Sequence, residues 1–273
     1  MLSQADFPII VVVATRNRPE LLDSRCLSTI LHQSFCAFRV IIVDDSDSQY
    51  FESNQKIIGV YQEAGLIIEY LQNSCHSGLA HSWNRAIQYA NNLMPDCWIA
   101  IHDDDDTWHE KHLQLCVEAA KLRNATSVVS GLTVIKDEEK FDQPLLATLH
   151  ISDFLRGNPG WQGSNTFIMA RHLLTIGGYD ENMPSTLDRD MAIRLLQQPD
   201  IKWAFTGFHT VQYYIESQRK ALSSKGTQEK LTGLRIFYTK YAQMMDKQDQ
   251  EIFFDRCSRF FGINPEWITE RKD

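Results

Sequence analysis

The run Ile9-Ile10-Val11-Val12-Val13-Ala14 leaves little freedom in what surrounds it. A short, β-branched stretch without a polar face reads as a strand buried on both sides, so its sheet needs cover on both sides. The same type recurs at Phe38-Arg39-Val40-Ile41-Ile42-Val43, Leu66-Ile67-Ile68-Glu69-Tyr70-Leu71 and Trp98-Ile99-Ala100-Ile101. Helical patterns lie among them. Pro19 suits a first helical turn, followed by Leu22, Cys26, Ile30 and Leu31 at roughly helical spacing. Ser82 to Asn92 is a second helix, and Glu110 to Leu122 a third, with Leu113, Val117 and Ala120 on one face. This alternation predicts an α/β fold with a mostly parallel central sheet flanked by helices. The strands end in Thr15-Arg16-Asn17-Arg18, Asp44-Asp45-Ser46 and Gln72-Asn73. Polar tips at one sheet edge predict a shared ligand crevice.

The fourth run ends in Asp103-Asp104-Asp105-Asp106-Thr107-Trp108. Adjacent carboxylates raise one another's pKa unless a positive charge compensates. Hard divalent cations prefer carboxylate oxygen and usually keep water and substrate phosphates as their other ligands. A solvated acidic loop is the plain alternative, but the position at a strand tip favours a cation site.

The second half is less regular. Thr126 to Ile135 reads as a strand, Lys136 to Gln143 as a charged loop and Asn158 to Ser164 as a Gly/Pro loop. Arg171 to Ile176 reads as a helix closed by Gly177-Gly178, and Asp188 to Gln198 as another, stopped at Pro199. From Thr227 the pattern is helical: Leu231, Leu234, Tyr238, Tyr241 and Met245 share a face, and Phe253, Cys257 and Phe261 continue it. That apolar face is expected to pack on the same chain or on a second copy, giving a homodimer through the C-terminal helices. The expected division is a catalytic domain over 1–226, with halves 7–125 and 126–226, and a helical extension over 227–273.

The chain has 273 residues and a net charge of −8, which disfavours broad binding to nucleic acid or anionic membrane. No apolar run approaches the ~20 residues of a membrane helix, and Ile9 to Ala14 is too short and lacks the basic leader of a signal peptide. The six cysteines have no C-x-x-C pair, as expected of idle thiols in a reducing cytoplasm.

In order, Val12-Val13-Ala14-Thr15-Arg16-Asn17-Arg18, Val43-Asp44-Asp45-Ser46, Gly78 with Trp83-Asn84-Arg85-Ala86, the aspartate cluster with Trp108, Gly177-Gly178-Tyr179-Asp180-Glu181 and Asp188-Arg189-Asp190-Met191-Ala192-Ile193-Arg194 resemble glycosyltransferase family two. The resemblance implies the glycosyltransferase-A fold, with a Rossmann-like nucleotide-binding half. It also implies an inverting, metal-dependent hexosyltransferase-type enzyme (EC 2.4) using a nucleoside diphosphate sugar, a UDP-sugar in first place, and a hydroxyl acceptor of unknown class. By the same resemblance Thr15, Asn17, Asp45 and Arg85 meet the nucleotide, together with Asp103 and Asp104. Asp105 leads as ligand for Mn²⁺ or Mg²⁺, Asp103 serves ribose or metal, and Asp106 supports them. Asp188 matches the base that deprotonates the acceptor, with Asp190 as competitor and Arg194 as a partner for Asp190. Trp161 and Gly163 fall where the acceptor site is shaped.

Two departures stand out. Leu187 occupies the position of a family acid, and Tyr213-Tyr214-Ile215-Glu216-Ser217 lacks the family's late histidine. His209 reads first as a core or surface histidine, with an extra metal ligand as the alternative. His102 has no assigned role. A nucleotidyltransferase on a related fold is a second reading, weakened because the first loop has no glycine to cradle phosphates. A non-catalytic nucleotide or glycan binder is a third, which the Asp188 helix argues against.

Overall fold

The computed structural model describes residues 7–216 and 225–270. Ser217 and the end of the family-like region therefore lie outside the described residues. The strands are β1 (Ile9–Thr15), β2 (Phe38–Asp44), β3 (Ile68–Gln72), β4 (Trp98–Asp103), β5 (Thr107–Trp108), β6 (Ser127–Lys136), β7 (Glu139–Asp142), β8 (Thr166–Met169) and β9 (Trp203–Ile215). The helices are α1 (Pro19–Leu21), joined by a π-helical stretch to α2 (Ser28–Leu31), then α3 (Ser48–Glu63), α4 (Leu79–Leu93), α5 (His112–Arg123), α6 (Ile151–Arg156), α7 (Ala170–Thr175), α8 (Leu187–Leu196), α9 (Gln228–Tyr241), α10 (Lys247–Phe261) and α11 (Pro265–Thr269).

One sheet runs β3-β2-β1-β4-β8-β6-β9-β5, with β7 paired to β6. Its first four strands are parallel. β1 is fully buried, as its continuous apolar run requires of a central parallel strand. Beyond β4 the sheet is mixed: β8 is antiparallel to both β4 and β6, while β6 and β9 run parallel. The stretch expected as a charged loop, Lys136 to Gln143, instead folds into a hairpin with β7. All of Glu139–Asp142 is exposed, so no buried face marks it as a strand in the sequence.

One apolar layer, with Leu22, Cys26, Leu113 and Val117, covers one face of the sheet. The other layer gathers Trp83, Phe154, Trp161, Leu187, Met191, Leu234, Phe237, Phe253 and Cys257. The tail is therefore part of the main core. Its helical stretch is three helices rather than one, because α9 gives way to a 3₁₀ turn at Ala242–Met244 and Asp246 then caps α10. Phe237, outside the stripe read from sequence, is fully buried, while Leu231 and Tyr238 pack at its margin. All six cysteines are free thiols. Among the described residues no helix is long and apolar enough to cross a membrane.

Deleting residues 227–273 uncovers the face on which Phe237 and Phe253 sit and is expected to yield aggregating protein. Size-exclusion chromatography checks this; a soluble, cooperatively folding truncated chain is the contrary result.

Candidate active site

Strand register brings three tips to one edge. Thr15 pairs with Asp44, Asp44 with Gln72, and Ala14 with Asp103. The aspartates that follow β4 then split into two kinds. Asp104 and Asp106 are buried, at 0% and 1% exposure, while Asp103 and Asp105 remain partly exposed.

The buried pair is spent on the fold. Asp104 accepts a hydrogen bond from Thr15 Oγ1 at 2.7 Å and is ion-paired with Arg18. Asp106 accepts from Ser164 Oγ at 2.6 Å and from the Tyr214 backbone N–H at 3.2 Å. Of the exposed pair, Asp105 Oδ2 accepts from Arg18 Nη1 at 2.9 Å, and its carbonyl accepts from Arg25 at 3.0 Å. Asp103 Oδ2 lies 3.2 Å from Ser164 Oγ, whose single hydrogen can serve only one of Asp103 and Asp106 at a time. Burial, reinforced by the charge of Asp105, holds Asp103 and Asp106 well above the usual carboxylate range. Gly163 exists for Asp103: a Cβ there would stand 2.9 Å from Asp103 Oδ2.

Among the described residues no three His, Cys, Asp or Glu side chains are grouped to hold a metal by themselves. A hard cation shared with substrate phosphates needs only one or two carboxylates. Asp103 and Asp105 fit that role, being accessible and mutually repelling.

At the β2 tip, Asp45 accepts from Asn73 Nδ2 at 2.7 Å, the Ser77 and Gly78 backbone N–H groups at 2.8 and 3.0 Å, and His76 Nδ1 at 2.6 Å. Its pKa is lowered: these hydrogen bonds outweigh its burial. Asp45 thus organises the loop before α4. Arg85 on α4 does likewise, bonding Gln72 O and Asn73 Oδ1 at 2.7 Å each. Asn17, in the left-handed region at φ 54°, donates Nδ2 to Asp47 Oδ2 and accepts the Asp47 backbone N–H on Oδ1, each at 2.8 Å.

The two family-like elements around Asn84 and Tyr179 lock together. Asn84 donates to Tyr179 O at 2.9 Å and accepts from the Tyr179 N–H at 2.7 Å, and the Trp83 and Tyr179 rings lie 4.6 Å apart. This sets the approach to α8, where the candidate bases part. Asp190 is fully buried, gripped by Arg194 at 2.6 and 2.8 Å, by Tyr241 Oη at 2.8 Å and by Lys240. Asp188 Oδ1 is buried without a hydrogen-bond partner. Burial pushes the Asp188 carboxyl up to about 7, against the opposing charge of Lys230. Leu187, the departure from the family acid, is a core residue at 5% exposure.

One further expectation, for Trp161, needs correction. Trp161 is 1% exposed, wedged edge-on between Phe154 and Trp203, so its face is closed to a sugar. His209 bonds the Gln143 carbonyl at 2.8 Å at the foot of the β7 hairpin, and among the described residues it joins no group of metal-ligating side chains. His102 is a core residue: it is fully buried, its Nδ1 bonds the Asp103 carbonyl at 2.8 Å, its ring packs tilted against Trp108 with centroids 4.2 Å apart, and burial lowers its pKa to about 4. The sequence reading assigned no role to Arg18, Ser164, Lys230 or Lys240. Only Arg18 carried a signal, as the near cation that four adjacent carboxylates demand.

The family model described as Glycosyl transferase family 2 matches residues 10–177. The chain belongs to glycosyltransferase family 2. It is 31% identical over 115 residues to the uncharacterized glycosyltransferase MJ1057 of Methanocaldococcus jannaschii, covering 42% of this chain and 38% of that one. It is 21% identical over 247 residues to Escherichia coli WcaA, named as a candidate glycosyl transferase of colanic acid biosynthesis, covering 89% and 84% of the two chains. Among solved structures, S. aureus TarS 1–349 in complex with UDP-GlcNAc superposes with a TM-score of 0.69 at 13% identity, covering 94% of this chain and 73% of that one. The mannosyltransferase PcManGT of Pyrobaculum calidifontis, in complex with GDP-Man and Mn²⁺, gives 0.59 at 14% identity, covering 90% and 67%. These likenesses establish the glycosyltransferase-A fold. The chain spans 44% of the longer TarS chain.

Gly163→Ala should cost ~1–3 kcal/mol, the usual scale of overpacking, and Asp103→Ala in the same chain should restore most of it. Urea melts of the two variants test this; an unchanged midpoint in Gly163→Ala would mean the carboxylate moves aside freely.

Proposed function

We propose that the protein transfers a sugar from a nucleoside diphosphate sugar to an acceptor hydroxyl with inversion, in the presence of Mn²⁺ or Mg²⁺. The observation that carries this reading is an unpaired carboxylate oxygen on Asp188 within electrostatic reach of the accessible Asp103. A base and a diphosphate-cation site that close to each other suit a single displacement.

In this reading residues 7–125 form the nucleotide half and 126–226 the acceptor half. Asn17 lines the nucleotide wall, while Thr15, expected beside the nucleotide, is 1% exposed with its hydroxyl on Asp104 and supports that wall from beneath. Asp45 and Arg85 shape its loop, and Asp104 holds the first loop through Arg18. Asp103 and Asp105 would hold the cation, which supplies charge neutralisation for the departing diphosphate. Asp188 Oδ1 accepts the proton of the acceptor hydroxyl as that oxygen bonds the anomeric carbon. The bond from that carbon to the diphosphate breaks, and the nucleoside diphosphate leaves with the electron pair. Asp190 acts indirectly, by fixing α8 through Arg194, Lys240 and Tyr241. A UDP-sugar is the first choice of donor because the TarS structure that superposes on this chain holds UDP-GlcNAc.

Three outcomes follow for this reading. Calorimetry should show UDP binding with Mn²⁺ that weakens sharply with EDTA or in Asp105→Asn; equal affinity with and without metal sinks the cation assignment. Asp188→Asn should cut transfer by roughly 10²-fold or more with UDP affinity nearly unchanged, whereas that pattern in Asp190→Asn instead would move the base. A carboxyl titrating near 7 is protonated, and idle as a base, below that pH. Transfer should therefore fall as pH drops through about 7, and a rate flat from pH 5 to 8 would contradict the assignment.

A further inference from the structure

The tail does more than cover the core. The N-terminal half of α9 is docked on the turn that leads into Asp188. Ser185 Oγ donates to Glu229 O at 3.0 Å, and a Cβ on Gly233 would lie 2.3 Å from Ser185 Oγ, so only glycine permits this approach. Lys230 Nζ reaches Thr186 Oγ1 at 3.4 Å. Thr186 is the N-cap of α8 and stands at φ 68°, a left-handed conformation that a β-branched residue avoids unless its surroundings impose it.

Lys230 is an unusual residue to bury. It is 7% exposed, its ammonium sits 4.1 Å from the centre of the Phe261 ring, and among the described residues it forms no salt bridge. An ammonium taken out of water without a carboxylate partner is costly. Its neighbours Arg189, on α8, and Arg256, on α10, add positive charge, with the Cys257 thiol of α10 also near. Across the first turn of α8, the Asp188 carboxylate, whose Oδ1 is the unpaired buried oxygen, supplies compensating negative charge.

We propose that Lys230 is a positioning residue of the active site: delivered by the C-terminal helix α9, it holds the Thr186 turn and supplies the fixed positive charge against which the Asp188 carboxylate is set. This rests on the reading of Asp188 as the base. The other titratable groups facing Asp188 are Asp103 from the strand tip, Tyr179 from the turn before α8 and Tyr213 from β9. None carries a positive charge, so among the described residues Lys230 is the group whose charge favours the ionised carboxylate. Burial pushes the Asp188 carboxyl up and the Lys230 ammonium down, to about 7 and about 8, and each charge opposes the other's shift. In the pH interval between those values the carboxylate and the ammonium are both charged.

The test is a carboxyl ¹³C NMR titration of full-length protein labelled at aspartate, with the Asp188 signal identified by its loss in Asp188→Asn. In Lys230→Met, which keeps the length of the side chain, the Asp188 midpoint should rise by about one pH unit, the scale set by losing a nearby opposite charge. Lys230→Arg should restore it. Circular dichroism confirms that each variant is folded, and UDP affinity should stay within about twofold of the parent. An Asp188 midpoint unmoved in folded Lys230→Met overturns the proposal. Should Lys230→Met fail to fold, Lys230→Gln takes its place with the same two outcomes. Failure of the underlying reading looks different: Asp188→Asn would then retain full transfer whatever the Lys230 variants do.

Discussion

Four adjacent carboxylates at a strand tip have to be compensated, and Arg18 does most of that work. Its guanidinium spans Asp104 and Asp105, tying the loop after β1 to the loop after β4. Because β1 and β4 are hydrogen-bonded neighbours, this pairing closes the crevice edge at its centre. With Asp104 and Asp106 turned inward to Arg18, Thr15 and Ser164, the turn after β4, closed by the Asp106 N–H on Asp103 O, leaves Asp103 and Asp105 partly exposed. A run of like charges that would otherwise be only repulsive thus becomes two buried anchors and two partly exposed carboxylates, of which Asp105 is also held by Arg18.

The acceptor side follows a similar economy. α8 begins with a core residue, Leu187, then places Asp188 facing the site and Asp190 facing the tail. The grip of Arg194, Lys240 and Tyr241 on Asp190 fixes the axis of the helix, and that in turn fixes where Asp188 Oδ1 lies. Removing a partner from a buried, fully paired carboxylate is costly because the remaining charge stays buried. Asp190 is thus read as structural, and Asp188, free of such partners, as reactive.

Much of this was legible in the sequence because parallel strands buried on both faces advertise themselves. β1, β2 and β4 were read within one or two residues of their ends, and the polar tips gave the crevice. The β7 hairpin was not, since an exposed strand has no apolar alternation. α3 was missed because only Asn54, Ile58 and Tyr61 are buried along its 16 residues. Trp161 was misread because Gly160 and Gly163 mark a loop but do not reveal which way the indole turns. Asp188 and Asp190, two residues apart and chemically identical, could be ranked only once their partners were visible. The role of Lys230 depends on a contact between residues 44 positions apart, which no local pattern encodes.

The central claim is the division of the aspartate run into open and anchoring members. Electron paramagnetic resonance of Mn²⁺ with UDP and the protein tests it directly, by counting the bound ion in Asp103→Asn and in Asp106→Asn. The account predicts loss of bound Mn²⁺ in the first and near-parental binding in the second, provided both are folded. Equal loss in both, or loss only in Asp106→Asn, would contradict it.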